Sequence, residues 1–451
     1  MPKRHGFSCE RAELDSLAHA ALERARRAGA SACDCDVSEG YGLSVTVRKG
    51  RPDTIEHNRD RSVGVTVYLG DRPKVRRGHA STSDFSRAAL EQTVDAAAAI
   101  ARHTAEDDCA GLPDAELLAR EQPDLDLFHP WEISTEEAVE LARRCEAAAF
   151  AVSKKIRNSE GATVSAQQTQ FVFANSLGFV GGFCGSRHWL SCAVIAEDKG
   201  LMQRDDWYSA SRLPGKLADA RALGRYAGQR AAARLGARKM ATRQAPVLFE
   251  APVAVGLIGH FVSAVTGGNL YRKTSFLVDT LGKQVFSPLV AIDERPHEPQ
   301  GMASSPFDEE GVATIERPIV RAGVVEGYFL GSYAARKLGM KSTGSAGGHH
   351  NLVVRSEGPD FEGMLKTMGR GLLVTELLGQ GVNPVTGDYS RGAAGYWVEG
   401  GEIAFPVEEI TIAGNLKEMF KQIAAIGSDV VVRSGRSTGS ILVESMTIAG
   451  E

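Results

Sequence analysis

Residues 247–286 read VLFEAPVAVGLIGHFVSAVTGGNLYRKTSFLVDTLGKQVF. The opening VLF is a short apolar run and predicts a strand. Val255, Leu257, Ile258, Phe261 and Val262 follow at a spacing that predicts an apolar helix, with one histidine, His260, among them. Gly267-Gly268 then predicts a turn, and NLYRKTS a polar loop. A strand feeding an apolar helix that carries a single histidine is the most informative feature of the chain.

Upstream, apolar residues at Leu14, Leu17, Ala18, Ala21, Leu22 and Ala25 predict a helix over residues 10–29, capped at Ser8 and stopped at Gly29. Leu43-Val45-Val47 and Val63-Val65-Val67-Leu69 alternate as half-buried strands do. Residues 84–103 predict a second helix. Residues 105–131, rich in Asp, Glu and Pro, read as a connection. Ser134 with Glu137 three residues on is a capping box opening a helix to about Lys154. Residues 164–195 read as strands turning at Asn175-Ser176-Leu177-Gly178, and 216–238 as a basic, Ala-rich helix. Beyond Pro246, Gly-rich turns and short strands dominate, with strands expected at 312–315, 324–330, 352–354, 372–378, 396–398, 403–405, 430–432 and 441–444. The expectation is an α+β protein: an N-terminal α/β-layer domain over residues 1–240, then a mostly antiparallel β domain over 241–451.

The chain has 451 residues, of which 43% are hydrophobic and 24% charged, and its net charge is −4. That balance fits a soluble globular protein and gives no electrostatic footprint for nucleic acid. The short basic cluster Lys74, Arg76 and Arg77 reads as a solvated strand edge. Residues 1–10 have no apolar core of a signal peptide, and no window approaches the roughly 18 apolar residues of a membrane span. Seven cysteines, an odd number, fit reduced thiols in the cytoplasm.

Several long segments carry a resemblance. The stretch 247–286 is the first. YAARKLGMKSTGSAGGHHN at 333–351, GVNPVTGDYSRGAAG at 381–395, Trp397, Phe405-Pro406 and GSILVESMTIAG at 439–450 continue it in order. Together they resemble the TldD/PmbA (TldD/TldE) metallopeptidase family over nearly the whole chain, on its PmbA (TldE) branch. The catalytic member of that family carries His-Glu-x-x-x-His on the helix. Here the six positions are Val255, Gly256, Leu257, Ile258, Gly259 and His260, so only the last histidine is kept. A hydrolytic zinc needs about three protein ligands, an open position for water and a carboxylate to take the proton. Val255 cannot ligate and Gly256 offers no base. The family's third ligand is a cysteine near the C-terminus, whereas the last cysteine here is Cys192.

Other constellations read more plainly. His260 alone reads as a core or cavity-lining histidine. Gly267–Thr274 lacks the glycine before lysine that a phosphate loop requires, since Arg272 stands there. Tyr271, Arg272 and Lys273 read either as a peptide-groove wall or as an ordinary loop. Gly435-Arg436-Ser437-Thr438-Gly439 matches a nucleophile elbow, but a strand-like run follows it and no histidine lies beyond His350. Cys184, His188 and Cys192 share one face without a fourth ligand, and Cys33-x-Cys35 reads as strand alternation. His349 and His350, with Asn351, lie in a Gly-rich loop that frames a cavity or an interface, or is exposed. Asp293-Glu294 and Glu408-Glu409 read as solvated loop charges.

The resemblance implies a cytoplasmic subunit with no catalytic residues, metal or cofactor of its own. Zinc is expected in a TldD-like partner, and the substrates are extended, unfolded or ribosomally made peptides. The family's older label is modulator of DNA gyrase; the composition gives no support for direct contact with DNA. Alone, the chain is able to form a homodimer through the surface meant for its partner. The alternatives are a self-sufficient hydrolase with a different site, or a non-enzymatic modulator that binds a partner protein.

Overall fold

A computed structural model describes residues 6–450; the basic residues at the N-terminus, Lys3 and Arg4, lie outside the described residues. The fold is α+β, built on three sheets.

The first sheet comprises β1 (Ala32–Arg48), β2 (Arg51–Leu69), β3 (Arg76–Thr82), β4 (Ile156–Asn175), β5 (Val180–Gly181), β6 (Cys184–Asp198) and β7 (Leu201–Ser211). Its order is β3-β2-β1-β4-β6-β7, antiparallel throughout, with β5 on the end of β4. Side chains alternate across a strand, so the odd-numbered residues of β1 share one face. Cys33, Cys35 and Val37 on that face pack against α1 (Arg11–Arg27) and α2 (Arg87–His103). Leu43, Val45 and Val47, further along it, pack against α3 (Thr135–Phe150) and α4 (Ala220–Ala233). All four helices therefore cover the same side. The even-numbered face, with Asp34, Asp36 and Ser38, is left to meet the C-terminal half.

That half contains a six-stranded sheet of β8 (Arg243–Phe249), β13 (Gly371–Leu378), β14 (Asp388–Glu399), β15 (Glu402–Asn415), β16 (Ile423–Ile426) and β18 (Ile441–Ala449). Its order is β15-β14-β13-β8-β18-β16, and an added β15–β18 pairing closes five of the strands into a ring. β8 lies between β13, parallel, and β18, antiparallel. Its VLF run is apolar throughout because both faces are covered. Val247 and Phe249 face the main core with α5 (Ala251–Ala264), while Leu248 faces α8 (Phe361–Met368). In that core Phe261 meets Phe286 edge-on with ring centroids 4.9 Å apart, and Phe286 stacks on Phe420 at 4.5 Å. Each such buried ring is worth about 1.5–3 kcal/mol in surface removed from water. The third sheet is small: β9 (Ile292–Glu294), β10 (Arg317–Arg321), β11 (Val324–Val325), β12 (Leu352–Val354) and β17 (Arg436–Ser437). Short helices α6 (Gly267–Tyr271), α7 (Ser332–Lys337) and α9 (Leu416–Lys421) complete the chain.

Several local expectations need correction. Gly267-Gly268 opens α6 rather than a turn. Residues 312–315 and 430–432 are not strands: Ile315, Val430 and Val432 are exposed, and Val312 makes only an isolated bridge to Leu118. Glu10, not Ser8, caps α1 in a box with Glu13, because Ser8 gives its N–H to Glu39 Oε1 at 2.9 Å. The strand alternation at Cys33-x-Cys35, by contrast, is present: both cysteines lie on the buried face of β1 with Asp34 on the other, and burial pushes the Cys33 thiol up to about 12. Glu294 is buried in β9 instead of solvated, since Arg317 and His350 both bind it. No helix among the described residues is long and apolar enough to cross a membrane.

Candidate functional site

α5 follows β8 at once, with Glu250 at its cap and Pro252 in its first turn, where a missing N–H costs nothing. Ala254, Leu257, Ile258 and Phe261 form its buried stripe. His260 flanks that stripe, its ring edge-on to Tyr389 at 5.8 Å. Burial holds the imidazole below its ordinary pKa, and the positive charges of Arg391 and Arg436 add to the effect. Arg436 approaches so closely that a Cβ on Gly259 would stand 2.2 Å from its Nη1, so position 259 has no room for a side chain without moving that guanidinium.

One turn earlier, Val255 and Gly256 line a cleft of about 340 Å³. Its floor is an ion network joining the two halves of the chain. Arg230 binds Glu250 in bidentate fashion at 2.7 and 3.1 Å, and its Nε reaches Asp205 at 3.1 Å. Arg234 is paired with Glu376 and Arg204 with Asp206. Arg391 and Arg433 line the same cleft without an ion pair to any carboxylate among the described residues. Apart from α5's own backbone and the adjoining residues, no atom lies within 4 Å of the place a Cβ would take on Gly256.

The larger space, about 1030 Å³, lies between the even face of the first sheet and the C-terminal half. Asp34, Asp36, Tyr68 and Phe173 form one wall; Tyr271, Asp308, Tyr333 and the loop from Ser345 to Gly348 form the other. Burial pushes the Asp34 carboxyl up to about 6, against hydrogen bonds from Thr66 and Tyr68 that favour its charge. Burial also pushes Asp308 up to about 7, helped by Glu310, although its oxygens accept N–H bonds from Glu310, Val312 and Ala346. Such a space, part aromatic and part acidic, can hold an extended polar chain.

The residues singled out from sequence fall in different places. Tyr271 lines the large cavity, edge-on to Tyr333 at 5.8 Å. Arg272 folds back to donate to the Tyr271 hydroxyl at 2.9 Å, and Lys273 is exposed. His349 turns its Nδ1 to the His350 carbonyl and tilts against Phe329. His350 and Asn351 are committed inside the structure. The first is held to Glu294 through its N–H at 2.9 Å and Nδ1 at 3.1 Å. The second bridges Ala303 N, the Arg295 carbonyl and Ser304 Oγ. Reasoning from sequence did not single out Arg391 or Arg433. The available signal was Arg391 two residues beyond Tyr389, on the same strand face as the partner of His260.

The donor set beside α5 does not fit a zinc ion. It offers one imidazole, no carboxylate at 256 and two neighbouring guanidinium charges. Among the described residues, the only close group of three potential ligands is Asp107, Asp108 and Cys109. Lys337 already binds both aspartates there, at 3.1 and 3.0 Å.

Three family models match the chain in succession. PmbA/TldA metallopeptidase domain 1 matches residues 33–101, the central domain 128–235, and the C-terminal domain 242–450. The chain is 48% identical to Metalloprotease PmbA of Escherichia coli O157:H7 over 442 residues, covering 98% of this chain and 97% of that protein. A Bacteroides thetaiotaomicron protein assigned as a modulator of DNA gyrase superposes with a TM-score of 0.91 at 24% identity, over 97% of this chain and 99% of that one. TldE from Thermococcus kodakarensis superposes with a TM-score of 0.84 at 19% identity, over 97% and 100%. These two likenesses show the fold; the family models and the E. coli relative show more. The fold and its sequence are those of a metallopeptidase family. The chain belongs to the PmbA/TldD family, on its PmbA (TldE) branch.

Proposed function

We propose that this chain is the PmbA/TldE-type subunit of a cytoplasmic two-chain peptidase, and does not itself supply the metal or the catalytic base. A TldD-like partner carries zinc on His-Glu-x-x-x-His. This chain closes the other side of a chamber that admits extended or unfolded peptides. The observation that carries the reading is the surroundings of His260, where valine, glycine and two arginines stand in place of ligands and base. A cation held there would face guanidinium charges with a single neutral nitrogen to bind it. The 1030 Å³ cavity supports the peptide role, because Tyr271 lies on its wall close behind α5 in the chain.

The test is zinc content by plasma mass spectrometry and cleavage of an unfolded peptide, for the chain alone and with a TldD-like partner. Alone, the chain is expected to hold well under one zinc and to cleave nothing. With the partner, chelator-sensitive cleavage is expected. Chelator-sensitive cleavage by the isolated chain refutes the reading.

A further inference from the structure

The cleft beside Gly256 has matched acids and unmatched bases. Asp205, Glu250 and Glu376 are held by Arg230 and Arg234, and Asp206 by Arg204. Arg391 and Arg433 line the cleft with no carboxylate paired to either among the described residues; Arg391 Nε and Arg433 Nη2 themselves are shielded from solvent, so contact with a molecule in the cleft falls to the other guanidinium nitrogens. The guanidinium carbon of Arg433 lies 3.8 Å from the ring centre of Trp207 and 4.1 Å from that of Tyr208, whose hydroxyl is its hydrogen-bond partner, and Glu250 attracts it at longer range. Arg391 is steadied by the Tyr389 hydroxyl. Gly256, on the same cleft, leaves open space, and Val253 and Leu377 add apolar wall. The volume of about 340 Å³ is at the small end for ligand pockets.

We propose that this cleft binds the C-terminal carboxylate of an extended peptide through Arg391 and Arg433. Guanidinium groups suit a carboxylate because their planar N–H edges match its two oxygens. A terminal carboxylate also brings its own residue's side chain, which the adjoining Trp207, Val253 and Leu377 receive. An aspartate or glutamate side chain brings no such second group. The proposal deepens the peptide-chamber reading and rests on it.

The test uses the full chain and a short, fluorescein-labelled, unstructured Gly/Ser/Ala/Leu peptide, followed by fluorescence anisotropy. Three forms are compared: the free acid, the C-terminal amide, and an amide with one internal aspartate. The free acid is expected to bind at least about tenfold more tightly than either amide, as one charge-assisted contact implies. Arg391→Gln and Arg433→Gln should each remove most of that preference. Gly256→Glu should remove it too, by filling the open space with a carboxylate of its own. It replaces a helical glycine where no atom crowds the new Cβ, so it keeps the test valid if an arginine variant misfolds.

Equal binding of acid and plain amide overturns the carboxylate site and leaves the peptide-chamber reading intact. No binding of any form overturns both. An aspartate-bearing amide that matches the free acid overturns the terminal assignment. A preference that survives both Arg391→Gln and Gly256→Glu places the carboxylate elsewhere and overturns the proposal.

Discussion

Replacing Glu294 by alanine should cost far more than the loss of one surface charge. Its carboxylate is 2% exposed and accepts from Arg317 Nε at 2.8 Å, His350 N at 2.9 Å and His350 Nδ1 at 3.1 Å. Burial alone would raise its pKa. The His350 hydrogen bond and the Arg317 charge outweigh that and hold it below the ordinary value. Removing the acid strands a guanidinium whose side chain is only 13% exposed, together with two N–H donors at the junction of β9, β10 and β12. Breaking a buried pair by deleting one partner costs about 3–5 kcal/mol. For a cooperative unit of 150–250 residues, each kcal/mol moves the midpoint by about 2–4 °C, so Glu294→Ala should lower Tm by about 6–20 °C. The parent's contribution from this group is present above the unfolded carboxyl pKa and is lost as pH falls through the depressed folded value. The alanine variant should therefore approach the parent in acid. Thermal melts by circular dichroism across pH measure both effects. A drop of less than about 2 °C at neutral pH would refute the reasoning, and so would a difference that grows in acid.

Asp308 has the opposite sign. Its folded pKa of about 7 lies above the ordinary 3.8, so in the folded chain it keeps a proton that the unfolded chain has released. Stability should then decline as pH rises from about 4 to about 7, and Asp308→Asn should flatten that decline in urea titrations; an unchanged slope counts against the shift. In α4, a Cβ on Gly224 would stand 1.9 Å from the Cys145 carbonyl oxygen of α3, so Gly224→Ala should force the helices apart. Overpacking costs about 1–3 kcal/mol, against less than about 1 kcal/mol gained in helix propensity. The urea midpoint should fall, and a rise would show that α3 and α4 are not so closely seated.

Which parts were legible follows from the range of the forces involved. The capping box at Ser134 is local, and both of its hydrogen bonds are present. The continuous VLF run and the periodic stripe of α5 are local signals too, and each became the element it implied. The extent of β1 and β2 was not legible. Their polar stretches, such as 38–41, carry no alternation of their own and are held in register by β4 and by each other. The Glu294 triad was equally hidden, because its members lie 23 and 56 residues apart. The cleft at Gly256 draws on β7, α4, α5, β13 and β14 and on the loop carrying Arg433, and no spacing rule joins those segments.

The closed ring also dictates an order of manufacture. β8, which introduces α5, is walled on one side by β18, some two hundred residues later in the chain. A ribosome has therefore released α5 long before it makes the strand that seats it. In that interval Val247 and Phe249 stay partly bare, and the nascent chain is open to chaperones and to premature self-association. Arg391 and Arg433 come together only when the last of these strands docks, so a half-made chain has no formed Gly256 cleft with which to hold peptide.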